Sequence, residues 1–325
     1  MKVTVYGVGA IGGWLGALLA QSGVGVSAIA RGRTLEVLRH EGLTLHQDGE
    51  TLRARVTATD NPEELGAQDV VVIAVKAPAL PEVCRAIGPL LGSDTMVLTA
   101  MNGLPWWFFQ GFGGQLAGTH LKSVDPEGRI ADAIPAHHII GGVVHASCVL
   151  EAPAVVRHHA GKALYIGEPA GGLTARVSEL ARLLHRAGCE VHTSACIQEP
   201  TWYKLWGNVT INPISALTGA TVDRIINDEL VWGFAANVMT EAKRVGSRLG
   251  IEIQEEPQDR YMLLAELGAF KSSMLQDVEA KRPLEIDALV TSVVEVARLV
   301  GEPTPFCDAM LGLVRLQARE RGLYV

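Results

Sequence analysis

The chain begins with a strand pattern, Lys2-Val-Thr-Val-Tyr6, that runs directly into Gly7-Val8-Gly9-Ala10-Ile11-Gly12 and then into an apolar helical stretch from Trp14 to Ala20. A GxGxxG alone carries little weight among 35 glycines. Preceded by a strand and followed by a helix, it reads as the first βα turn of a dinucleotide-binding unit. Gly7 permits the tight turn, Gly9 lets a pyrophosphate approach the backbone, and Gly12 lets the helix pack closely on the strand. The helix N-terminus then faces the phosphates. The expected cofactor-binding residues of this loop are Gly7, Gly9, Ala10, Ile11 and Gly12.

The end of the second strand sharpens the choice of nucleotide. Val24 to Ala30 has strand composition, and NAD-binding folds usually place an Asp or Glu at that end to hold the ribose hydroxyls. This chain has Arg31 there and Arg33 two residues on, with no acid between Met1 and Glu36. A carboxylate would repel a 2′-phosphate, whereas a guanidinium binds it through paired hydrogen bonds, so NADP(H) is the expected cofactor. The stretch also invites a rival reading as an export signal, since it is uncharged from Val3 to Ala30 behind Lys2 and contains Ala17-Leu-Leu-Ala20. Glycines break its helical continuity, and the arginines complete a βαβ logic that an export signal lacks. A cytoplasmic protein without a transmembrane helix is expected.

A chain of 325 residues, 48% hydrophobic and 19% charged, has room for two globular domains. Its net charge of -7 argues against a nucleic-acid partner, which would require a basic face. The five cysteines, Cys84, Cys148, Cys189, Cys196 and Cys307, lack CxxC spacing and read as buried thiols in a reducing compartment. His137-His138, His145 and His158-His159 could suggest a metal site, but adjacent histidines on a strand point to opposite faces and no acid has ligand spacing. No metal is expected.

After Arg31 the pattern stays α/β: a helix from about Thr34 to His40, then a hairpin of Leu43 to His46 and Leu52 to Thr59 around an Asp48-Gly49 turn. Asp69 to Val75 and Thr95 to Ala100 read as central parallel strands, ending at Lys76 and at Asn102-Gly103. Ligands in such sheets bind beyond the carboxyl ends of the strands, which places Lys76 and Asn102 at the expected crevice. Gly103 to Gly141 fits no regular sheet unit; its Trp106-Trp107-Phe108-Phe109 cluster reads either as a substrate wall or as packing against the sheet. Strands resume at Ile139 to Ala146, Ala154 to Arg157 and Ala163 to Ile166, followed by a helix from Thr174 to Ala187 and a strand from Glu190 to Thr193. From Glu199 onward only helical periodicity remains, over Thr201 to Val209, Leu230 to Leu249, Gln258 to Leu267, Ile286 to Val300 and Thr304 to Arg321. The expectation is an α/β Rossmann domain over residues 1–195, binding NADP, and an all-α substrate and catalytic domain over 196–325.

On the first of those helices Lys204, Asn208 and Asn212 recur at i, i+4 and i+8, on one face if the helix continues; Pro213 should kink or restart it. One ammonium and two amides facing a cleft suit a carbonyl substrate, because the ammonium can protonate the oxygen that gains charge as hydride arrives. The same row also fits a solvated face, although Trp202, Leu205, Trp206 and Ile211 beside it weigh against that.

The glycine loop, Val75-Lys76-Ala77, Asn102-Gly103, Trp206-Gly-Asn208-x-x-Ile211-Asn212-Pro213 following Lys204, and Ser272-Ser273-Met274-Leu275-Gln276-Asp277 ahead of Glu285-Ile286-Asp287 together resemble the ketopantoate reductase (2-dehydropantoate 2-reductase) family. The resemblance covers nearly the whole chain. It implies a Rossmann domain joined to an all-helical domain similar to that of 6-phosphogluconate dehydrogenase, with the active site between them. It also implies NADPH-dependent reduction of a 2-oxo acid, by default ketopantoate to (R)-pantoate. Lys204 would be the general acid and Glu285 its partner, holding the substrate hydroxyl. Ser273, Asn208, Asn212 and Asn102 would contact substrate, with Asn102 also near the nicotinamide and Lys76 and Arg31 on the NADPH. Read without the resemblance, Glu285 is an acid in a helical first turn, favoured by the helix dipole.

The chain also departs from that pattern. Val222 and Phe270 stand where family members often supply asparagines to the substrate, and the segment after Asn102-Gly103 is longer than usual and rich in Trp and Phe. One alternative is therefore a reductase of the same mechanism acting on a bulkier or more apolar 2-oxo acid. Another is a protein that senses NADPH without turnover. The expected partner is a small-molecule 2-oxo acid, with no nucleic acid and no membrane; assembly as a homodimer is left open.

Overall fold

The computed structural model describes residues 1–324. It divides into two compact units, Met1–Met101 with Gln110–Phe112 and Gly128–Ile197 in the first, and Asn102–Phe109 with Gly113–Glu127 and Gln198–Val325 in the second.

The first unit is built on a ten-stranded sheet: β1 Lys2–Tyr6, β2 Gly25–Ile29, β3 Leu43–Gln47, β4 Glu50–Ala54, β5 Thr57–Thr59, β6 Gln68–Ile73, β7 Leu91–Thr99, β8 Ile139–Ala152, β9 Val155–Gly167 and β10 Glu190–Thr193. Their order is β4-β3-β9-β8-β7-β6-β1-β2-β5, with β10 also on β9. From β5 through β8 every pairing is parallel, whereas β9 runs back antiparallel to β8. Val70, Val71, Val72 and Ile73 are fully buried, as a strand covered on both faces requires. Helices α1 Ala10–Gln21, α2 Gly32–His40, α3 Leu80–Ala86, α4 Arg129–Ala133 and α5 Ala175–Arg186 complete the unit. The Asp48-Gly49 hairpin forms as expected, both residues adopting positive φ.

Several readings are corrected here. Leu52 to Thr59 is two strands, since β4 ends at Ala54 and β5 joins the far edge on β2. The two short segments at Ala154 and Ala163 are one strand, β9. His137 and His138 lie on a 3-10 turn rather than a strand; their rings stand 4.1 Å apart, and His138 Nδ1 is 2.9 Å from the Thr95 carbonyl oxygen. Among the described residues no group of three histidine, cysteine or acidic side chains could hold a metal ion.

The second unit contains helices α6 Gln198–Thr218, α7 Val222–Ile226, α8 Glu229–Arg248, α9 Pro257–Leu267, α10 Ser273–Glu279, α11 Ser292–Leu299 and α12 Pro305–Glu320; a π-turn, Asp287–Thr291, precedes α11. α6 is its central element. Trp202 and Trp206 donate their indole N–H groups to the Ala242 and Met239 carbonyls of α8, at 3.1 and 2.9 Å. Gly246 leaves the room this needs, because a Cβ there would lie 2.5 Å from Trp202 Nε1. Pro213 does not restart α6, which runs through it. Burial on nearly every side holds the turn that the missing proline donor leaves open.

Trp106, Trp107, Phe108 and Phe109 do not stand exposed to solvent. All four are buried in the second unit, where Phe108 lies 5.9 Å from Trp202 between ring centroids and its carbonyl accepts from Gln198 Nε2 at 3.1 Å. No described helix is long and apolar enough to cross a membrane.

Candidate active site

The glycine loop in the first unit is shaped by sterics. Gly7 has φ +94°, and a Cβ on it would lie 2.5 Å from Val75 Cγ1. A Cβ on Gly12 would overlap the Gly7 carbonyl oxygen, so the two glycines close the turn on each other. Gly9 is different, because a Cβ there would meet nothing within 4 Å. The backbone needs no glycine at that point, but a phosphate laid against it would. Gly9 is also the N-cap of α1, whose first turn carries no acid and no capping side chain, leaving the N–H groups of the turn for an anion. This cradle fits a dinucleotide.

Arg31 caps α2 at the end of β2, is exposed, and pairs with Glu82 of α3. Tyr6, at the end of β1, has its phenol pKa raised by burial and then by the Glu82 carboxylate, so these side chains share one neighbourhood. Lys76, half-buried, follows β6.

In the second unit, four separate segments contribute polar groups. Lys204, half-buried on α6, donates from Nζ to Asn102 Oδ1 at 2.8 Å. Burial pushes its ammonium pKa down to about 8, against the raising effect of the Glu285 charge. Asn208 and Asn212 continue that face of α6, the first half-buried and the second buried. Asn212 Nδ2 reaches Ser273 Oγ at 3.4 Å, a long contact that a ligand could displace.

The Ser272-Ser273 pair divides two tasks. Ser272 is buried and caps α10 by accepting from Leu275 N at 3.1 Å, while Ser273 is exposed on the first turn. Asp277 is buried and holds Arg282 at 2.9 Å, fixing the turn that leads to Glu285. Glu285 is 7% exposed, and its neighbours are pinned on both sides. Leu284 N donates to the Leu323 carbonyl at 2.9 Å, and Tyr324 OH donates to Asp287 Oδ1 at 2.7 Å. Burial and that carboxylate push the Tyr324 phenol up to about 12, so it stays a donor throughout the working pH range.

Thus Lys204, Asn102, Asn212, Ser273 and the field of Glu285 come together in one unit. Val222 and Phe270 also meet, with Val222 N donating to the Phe270 carbonyl at 2.9 Å; Val222 is buried and Phe270 partly exposed. Asp277, Asp287 and Tyr324 were not picked out from sequence. The first two lie in motifs already noted, so the acid within each motif was the available signal.

The family model described as "Ketopantoate reductase PanE/ApbA" matches residues 3–171, and "Ketopantoate reductase PanE/ApbA C terminal" matches residues 196–318. The chain is 46% identical over its full length, and over that of the relative, to a 2-dehydropantoate 2-reductase of Mesorhizobium japonicum. The solved structure of a candidate ketopantoate reductase from Ralstonia solanacearum MolK2 is 50% identical, covers 99% of each chain and superposes with a TM-score of 0.96. That of a 2-dehydropantoate 2-reductase from Geobacter metallireducens is 26% identical over 98% of this chain and 100% of that one, with a TM-score of 0.86.

Proposed function

Because the chain belongs to the ketopantoate reductase family, we propose that it reduces a 2-oxo acid, 2-dehydropantoate by default, to (R)-pantoate with NADPH. The observation that carries this reading is the ammonium of Lys204, hydrogen-bonded to Asn102 and brought down to a pKa of about 8. An acid catalyst works best when its pKa lies near the operating pH, and an ordinary surface lysine is too weak an acid for that.

When bound, the reduced nicotinamide supplies hydride to the keto carbon. Lys204 delivers its proton to the keto oxygen as negative charge gathers there. Glu285 supports the ammonium and accepts from the substrate hydroxyl, while Asn208, Asn212, Ser273 and Asn102 orient the keto acid. On the nucleotide side, the backbone at Gly7, Gly9, Ala10, Ile11 and Gly12 receives the pyrophosphate. Lys76 would assist, and Arg31, now paired with Glu82, would hold the 2′-phosphate. The five free cysteines suit a cytoplasmic location.

The test is NADPH oxidation by the purified protein across a panel of 2-oxo acids. The reading predicts the highest kcat/KM for 2-dehydropantoate; absence of turnover with every member would refute it. A second reading, a more apolar 2-oxo acid, is favoured by the side-by-side placement of Val222 and Phe270, and the same panel separates the two.

A further inference from the structure

The chain crosses from the first unit to the second at Met101–Asn102, and the residues just past that point are fastened to the helix that follows Glu285. A π-turn spans Asp287–Thr291. Such turns take backbone carbonyls out of the regular i to i+4 ladder and make them available to other donors. The Ala288 carbonyl accepts from Leu104 N at 2.7 Å and from Ser292 Oγ at 2.8 Å. Gly103 makes this approach possible in two ways. Its φ is +83°, and a Cβ on it would stand 2.5 Å from the Ala288 oxygen and 2.6 Å from the Ala288 Cβ. A second fastening lies two turns along the same helix, where the Glu295 carboxylate accepts from Lys122 N and Ser123 N at 2.7 and 2.8 Å.

The far fastening holds the segment to the helix at a distance from Asn102. The near one is adjacent to Asn102, whose side-chain oxygen receives the Lys204 ammonium. A lysine stem has four rotatable bonds, so a fixed acceptor at its tip decides where its proton points. We propose that the seat of Gly103 on the Ala288 π-turn is a positioning device that sets the Asn102 side chain, and through it the proton of Lys204. Gly103 and Ala288 are positioning residues in this account, touching neither substrate nor nucleotide. The inference rests on the reading of Lys204 as the acid.

Two substitutions press on the contact from opposite sides in the full-length protein: Gly103→Ala and Ala288→Val. Each is expected to lower kcat with 2-dehydropantoate by roughly 10-fold or more, since a misplacement of about 1 Å can cost 10²-fold. The KM for NADPH should stay within about twofold, because a catalytic misalignment does not touch uniform binding. The basic limb of kcat/KM should also move to lower pH, as it should in Asn102→Ala. An ammonium that loses an acceptor gives up its proton more readily, with Glu285 the charge already acting on it. Gly103→Ala added to Asn102→Ala should change little further. Glu295→Gln serves as a structural control, lowering Tm without moving the limb. If both contact variants lower Tm but leave the basic limb in place, or if Gly103→Ala multiplies the Asn102→Ala defect in full, the inference is overturned. Undiminished turnover in Lys204→Ala would instead overturn the reading beneath it.

Discussion

The two regions to which the proposed function assigns the chemistry are specified in different ways. The glycine loop is six consecutive residues whose shape follows from what is missing: no Cβ at Gly7 or Gly12, where one would collide, and none at Gly9, where one would meet nothing within 4 Å. The acid cluster is drawn from Asn102, Lys204 to Asn212, Ser273 and Glu285, and is held by hydrogen bonds and burial. Backbone sterics can be written into a short contiguous motif. A buried ammonium requires a folded unit around it, with every supporting group in register.

The largest expected effect falls on the cluster. Lys204→Ala should reduce kcat by roughly 10²- to 10⁴-fold, the usual range for a lost acid catalyst, while nucleotide binding measured by fluorescence titration stays near wild type. Equal loss of both would break the division between the regions.

On the loop, the glycines should separate. Gly12→Ala should destabilise the protein by about 1–3 kcal/mol, as overpacking does, and abolish nucleotide binding with it. Gly9→Ala should keep Tm within about 2 °C yet weaken the nucleotide, because only the ligand meets the added methyl. Thermal denaturation with and without NADPH reads both variants, and an equal Tm loss in the two would show that Gly9 is needed by the fold.

Arg31→Ala should lower kcat/KM for NADPH by roughly 10-fold and leave NADH within about twofold, which is modest because the guanidinium is exposed and shared with Glu82. The smallest effect is expected at Asn212→Ala, a rise of about 3- to 10-fold in the keto-acid KM with nucleotide KM unchanged. Steady-state kinetics with both nucleotides checks these two, and a nucleotide effect at Asn212 would blur the comparison.

The same contrast explains what was legible in the sequence. β1, the loop and α1 could be read because their periodicity and glycine spacing are local. The α6 row of Lys204, Asn208 and Asn212 was visible as an i, i+4, i+8 repeat, and α6 carried it past Pro213 because tertiary burial outweighed a local breaker. Helices α7 and α10 went unread, since five and seven residues hold too few turns to show a period, although Ser272 gave a cap signal. The sequence reading runs residues 102–127 together with the rest of the 1–195 domain. Their anchors, the Ala288 carbonyl and the Glu295 carboxylate, lie more than 170 residues away from the groups they hold, and no local pattern encodes them.

The most direct test of the account is the pH dependence of kcat/KM for keto-acid reduction, measured with saturating NADPH. Lys204 must carry its proton to act, and its pKa is lowered from the usual 10.5 to about 8. The rate constant should therefore be level below neutrality and fall about tenfold per pH unit above that value, with the limb missing from the residual activity of Lys204→Ala. A wild-type profile that stays flat to pH 10, or a limb that survives in Lys204→Ala, would contradict it.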